Sequence, residues 1–194
     1  MSTKDTAIVL QHRVHTLSLL SEQHGKYELY WYQKKNELLL SPGSLISYSF
    51  TGGHKKKVDE LSLEAAPFLL AGSSIYFLHS LIEFCSFFIP VGSCEHSIYK
   101  IVHHILLFFK RPLTIKMEKV IFCLLFTHLG IVPDNKDIEP YITFFLQLPI
   151  DKFYDLDLQL VQERILDEWL FWSLSVHPFR KSLKALPYIV KSER

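Results

Sequence analysis

Cysteine is scarce in this sequence: three residues, Cys85, Cys94 and Cys123, stand far apart among 194. An odd, dispersed set excludes a disulfide framework and points to a reducing compartment, the cytoplasm. Glycine is scarce as well, at seven residues, while 48% of the chain is hydrophobic and 14% aromatic. That balance excludes wholesale disorder, because enough apolar surface is available to offset the entropy of ordering the chain. The charges nearly cancel, with 21 Lys and Arg against 20 Asp and Glu, so no strong electrostatic footprint marks the chain as a whole. Enzyme signatures are missing too. There is no Gly-x-Ser-x-Gly elbow, no phosphate-cradling loop and no dinucleotide fingerprint, and Gly52-Gly53 with Lys55 lacks the phosphate-loop spacing. Neither catalysis nor a cofactor is expected.

Long apolar runs are almost absent. The exception, FLLAGSSIYFLHSLIEFCSFFI at residues 68–89, has the length of a membrane span. His79 and Glu83 lie within it, and an ionised group there costs several kcal/mol in lipid. A buried helix of a helical domain is therefore expected, and no membrane association. MSTKDTAIVLQHR at the N-terminus lacks the apolar core of a signal peptide. No metal site is expected either, since Cys94, His96, His103 and His104 lack a ligand spacing of structural zinc sites.

What is present divides at about residue 66. Before it, AIVLQHR, TLSLLSE, KYELYWYQ, SLISYSFT and KVDELSLE are short, rich in aromatic and branched side chains, and separated by His-Gly-Lys, Ser-Pro-Gly and Gly-Gly-His. These read as five strands of a small closed barrel. Alternation in the third puts Tyr27, Leu29 and Trp31 on one face and Glu28, Tyr30 and Tyr32 on the other. His-Gly-Lys reads as a tight hairpin between the second and third strands. From Pro67 onward the spacing turns helical. Ser93 is expected to cap a helix through HSIYKIVHHILLFF, with Ile98, Val102, Ile105 and Leu106 on its apolar face. Thr114 opens the next helix, which ends at Gly130. Two more are expected at 137–148 and 158–176. Glu163, Asp167 and Glu168 read as a solvated acidic face. The fold class is thus α+β, with domains at 1–66 and 67–194.

The charges are unevenly spread: residues 134–168 hold nine acids and three bases, whereas residues 177–194 hold five bases and one acid. Such segregation suits either solvated helix faces or opposite partners.

Read in order, these pieces resemble the bacterial DNA-repair family RecO, recombination mediators acting with RecR and single-strand-binding protein. AIVLQHR resembles the family's first strand with its basic end, and LSLLSEQHGK its second with a His-Gly-Lys-like turn. SPGSLISYSF and KKVDELSLEAAPF resemble the later strand pair, and FCSFFIPVG the Pro-x-Gly exit of the first helix. FTHLGIVP and HPFRKSLKALPYI resemble the Leu-Gly-x-x-Pro element and the closing basic segment. Three features depart from the family. The loop after Arg13 is only Val14-His15, the segment after Lys26 has only Lys34 and Lys35 as bases, and the paired Cys-x-x-Cys of zinc-binding relatives is absent.

The resemblance implies an N-terminal five-stranded OB-fold barrel followed by an all-helical domain. It also implies a non-catalytic protein that binds single-stranded DNA, anneals strands and assists recombinase loading. Such a barrel uses a basic groove along the phosphates and aromatic faces on which bases stack. Arg13, Lys26, Lys34, Lys35, Lys55, Lys56 and Lys57 are the expected phosphate contacts, and Tyr30 or Tyr32 the stacking platform. The His54–Lys57 run reads equally as a solvated hairpin tip. Arg180, Lys181 and Lys184 share a helical face by their spacing and would meet a partner, either DNA phosphate or the acidic C-terminal tail of single-strand-binding protein. A second reading stays open: a protein-interaction module that keeps this fold and has lost most DNA contact, consistent with eight bases against seven acids in residues 1–66.

Overall fold

The structure, a computed structural model, describes residues 4–31, 40–51, 57–67, 74–108, 113–149, 152, 162–178, 180–185 and 187. It is an α+β protein. Five strands come first: β1 (Lys4–Arg13), β2 (Thr16–Ser21), β3 (Gly25–Tyr30), β4 (Leu45–Thr51) and β5 (Lys57–Ala65). Five helices follow among the described residues: α1 (Ile75–Phe88), α2 (His96–Phe108), α3 (Ile115–His128), α4 (Glu139–Gln147) and α5 (Glu163–Val176). None is long and apolar enough to cross a membrane. Residues 1–110 and 111–194 form two compact units, so the passage from strands to helices expected after residue 66 lies inside the first.

In the first unit the neighbours run β3-β2-β1-β4-β5, all antiparallel. β5 then meets β3 at one parallel pair, Lys57 opposite Tyr30. Alternation decides the faces. Val9, Leu17, Leu19, Tyr27, Leu29, Ile46 and Tyr48 form one apolar cluster, and Trp31 packs on its edge. Their intervening neighbours, such as Ser18, Glu28 and Tyr30, point away from it, as expected for a half-buried sheet. Within the buried set, Asp5 accepts a hydrogen bond from Tyr48 Oη at 2.7 Å and from the Thr6 N–H at 2.7 Å. Tyr27 bonds Tyr48 in turn. Burial, then the nearby Asp5, holds the Tyr27 phenol above its ordinary range.

His-Gly-Lys is more than a turn. Glu22, Gln23 and His24 make the turn, and Gly25 opens β3 at φ +66°. A Cβ at Gly25 would stand 1.8 Å from the Ser93 carbonyl oxygen, so both conformation and space call for glycine. The segment after α1 lies against Lys26: its N–H donates to Ser93 O at 3.3 Å and its C=O accepts from the Gly92 N–H at 2.7 Å. Ser93 therefore serves the sheet rather than capping a helix as expected. Its hydroxyl bonds Glu95 at 2.6 Å, and α2 starts at His96. The expected apolar face of α2, Ile98, Val102, Ile105 and Leu106, is buried.

In the second unit α3 packs against α4 and α5. Thr114 caps α3 as expected, its Oγ1 accepting from the Met117 N–H at 3.3 Å. Beyond its end, Gly130 at φ +69° lets the Ile131 N–H reach Phe126 O at 2.9 Å. The acidic face of α5 is solvated in part, as expected: Glu163 and Glu168 are exposed, but Asp167 turns into a seam with α3. Lys119 in α3 is fully buried, and its Nζ lies 2.6 Å from Asp167 Oδ1 and 3.1 Å from Glu163 Oε1. Two of the three acids thus neutralise a cation in the α3–α5 seam, and only Glu168 stays with a surface partner, Arg164, at 2.9 Å. Burial opposes the Lys119 charge, but the two carboxylates outweigh it and hold the ammonium above its ordinary value.

Candidate nucleic-acid interface on the outer sheet face

Strand register places the expected contact residues. Arg13 pairs with Thr16, Thr16 with Tyr30, and Tyr30 with Lys57. These four positions form one row across β1, β2, β3 and β5. Adjacent strands lie about 4.8 Å apart, so the row spans about 14 Å. Thr16 and Tyr30 alternate with the buried Leu17 and Leu29, which sets this row on the sheet's outer face. The Arg13 side chain is exposed and makes no ion pair or hydrogen bond among the described residues. Tyr30 is 37% exposed.

Lys26 shares that face but has other partners. Its ammonium donates to Ser86 O and, at 3.0 Å, to Ile89 O, the open carbonyls at the C-terminal end of α1. A lysine there satisfies acceptors that the helix itself leaves unpaired and complements the dipole. Burial lowers the Lys26 pKa, against the opposing pull of Cys85 and Glu28. Tyr32, Lys34, Lys35, Lys55 and Lys56 lie outside the described residues.

Beside the row runs a groove of about 650 Å³ between the outer sheet face and α1. Arg13, Gln11, Ser18 and Glu28 line it from the sheet, and His79, Ile82 and Phe87 from α1. Gln11 pairs with Ser18, and Ser18 with Glu28, so these three form the next cross-strand row. A bulge at Leu10 interrupts β1 between Val9 and Gln11 and re-aims the strand at this point. The sequence did not single out Gln11, Ser18 or Glu28, because isolated polar residues carry no spacing signal. Only the register of three strands brings them together.

Arg180, Lys181 and Lys184 do not share an α-helical face. Arg180–Ser182 is a single 3₁₀ turn and Lys184 follows it outside any helix. Pro178, two residues past the end of α5, has no N–H to continue the helix, and Leu183 is buried between the bases. All three cations are exposed.

No protein-family description and no curated protein matched this chain when its sequence was compared with them.

Proposed function

We propose that this protein is a RecO-like mediator of DNA repair and recombination, which binds single-stranded DNA on the outer face of an OB-fold barrel. The observation that carries this reading is the row Arg13–Thr16–Tyr30–Lys57, which puts a cation with no partner among the described residues, a hydroxyl and an exposed aromatic ring side by side. Phosphate attraction plus base stacking is the chemistry of sequence-tolerant single-strand binding, each stack contributing about 1–3 kcal/mol. The strand order and the lone β3–β5 pair support a partly open five-stranded barrel, whose central strands and flanking loops are the usual binding surface.

In this reading Lys34, Lys35, Lys55 and Lys56 extend the phosphate track with Tyr32 as a further platform. Lys26 is left out of it, since its donors go to α1. The protein acts in the cytoplasm without catalysing a reaction, annealing strands and assisting recombinase loading together with RecR. Arg180, Lys181 and Lys184 receive the acidic tail of single-strand-binding protein.

Fluorescence anisotropy of a labelled single strand, titrated across a salt series, tests the reading. Binding at low salt whose logarithm falls linearly with log salt is expected. A flat salt response removes the electrostatic mechanism. Absence of binding at every salt favours the second reading, a protein-interaction module. Two observations support that alternative: Lys26 is committed to helix carbonyls, and the groove includes the acids Glu28 and Glu83.

A further inference from the structure

The groove beside the basic row has a donor and acceptor pattern of its own. Gln11, Ser18 and Glu28 stand side by side on three adjacent strands, with Gln11 and Glu28 about 9.6 Å apart along the row. None of the three side chains makes a hydrogen bond or ion pair among the described residues. Glu28 attracts the Lys26 ammonium in the same groove but leaves its carboxylate oxygens without a hydrogen bond among the described residues, and polar groups of this kind gathered in one concavity are the ordinary mark of a binding site. From left to right the row offers an amide that can donate, a hydroxyl that can do either, and a carboxylate that only accepts. Ile82 and Phe87 of α1 form the apolar wall facing it. Arg13, one row further along, provides the cation.

We propose that this groove seats one unstacked nucleobase of the bound strand and prefers cytosine to thymine. The inference rests on the reading of the outer face as a single-strand interface and deepens it. Cytosine presents an amine donor, a ring acceptor and a carbonyl acceptor along its pairing edge. Glu28 accepts from the amine, the Ser18 hydroxyl donates to the ring nitrogen, and the Gln11 amide donates to the carbonyl. Thymine presents carbonyl acceptors at both ends, so one of them faces the Glu28 carboxylate without a proton between them. Phe87 stacks on the base, and Arg13 holds the adjoining phosphate. Single strands are commonly read in this way, with splayed bases stacked on aromatic side chains and bonded along their pairing edges.

The test is the anisotropy titration repeated with oligo-dC and oligo-dT of equal length at neutral pH, for the unaltered protein and for Glu28→Gln. About tenfold tighter binding of oligo-dC is expected, the order found for a well-placed base contact. Glu28→Gln should bring the ratio close to one, because its amide can turn a donor toward the thymine carbonyl. Equal affinities in the unaltered protein, or a ratio that survives Glu28→Gln, would overturn the assignment of this groove while leaving the single-strand reading standing. Binding of neither oligomer would overturn both.

Discussion

The two compact units contain grooves of similar size but answer their inner lysines differently. In the first, about 650 Å³ opens between sheet and α1, and Arg13 at its margin has no partner among the described residues. In the second, about 740 Å³ opens between α4 and α5, where Arg164 is paired with Glu168 one helical turn away and Lys136 has no partner among the described residues. Their lysines differ likewise. Lys26 meets neutral carbonyls and is pulled below its ordinary pKa by burial. Lys119 is more deeply buried yet meets two carboxylates and is held above it. Partner identity, not burial alone, decides the sign of such shifts. A charge already answered inside the fold does structural service, and an unanswered one at the edge of a concavity is available to a ligand.

The largest effect should come from breaking the answered charge of the second unit. Lys119→Met keeps the apolar stem and removes the ammonium, leaving Asp167 and Glu163 without their counter-charge. A loss of about 2 kcal/mol is expected, less than for a fully buried pair because Glu163 and part of Asp167 reach solvent, and it is read from the urea midpoint. An unchanged midpoint would mean that the pair contributes nothing net to holding α3 against α5.

A smaller effect is expected from pH. Glu118 in the second unit is raised from an ordinary 4.5 to about 7 by burial alone. The folded chain therefore keeps a proton on Glu118 that the unfolded chain releases. Stability from this group is present below pH 4.5 and is lost as pH rises toward 7. Because Glu118 is partly exposed, the decline should be about 1–2 kcal/mol rather than the full value of the shift. Glu118→Gln should flatten the midpoint across that window, whereas a decline that persists in the variant would place its source elsewhere.

Much of this architecture was legible in the sequence, and the residues show why. All five strands were visible because alternation and turn residues are local properties. KYELYWYQ announced which of its side chains face the core. Thr114 and Gly130 marked the ends of α3 by local capping chemistry. What escaped was long-range. Ser93 looks like a helix cap until the docking of its segment against Lys26 is known. Glu163 and Asp167 look unpartnered until Lys119, more than 40 positions earlier, is brought beside them. Lys26 looks like a phosphate contact until α1 ends above it. Arg13, Tyr30 and Lys57 were each picked out singly, but their row depends on three strand registers that no local pattern encodes.

The contrast between spent and unspent cations is tested most directly by comparing Arg13→Ala with Lys26→Met in the single-strand titration across salt. Arg13→Ala should weaken binding and make the log-log salt slope shallower by about 0.7, the value of one phosphate contact on a single strand. Lys26→Met should leave that slope unchanged and lower stability by about 1 kcal/mol through the lost carbonyl bonds. A slope that falls with Lys26→Met and not with Arg13→Ala would contradict the account.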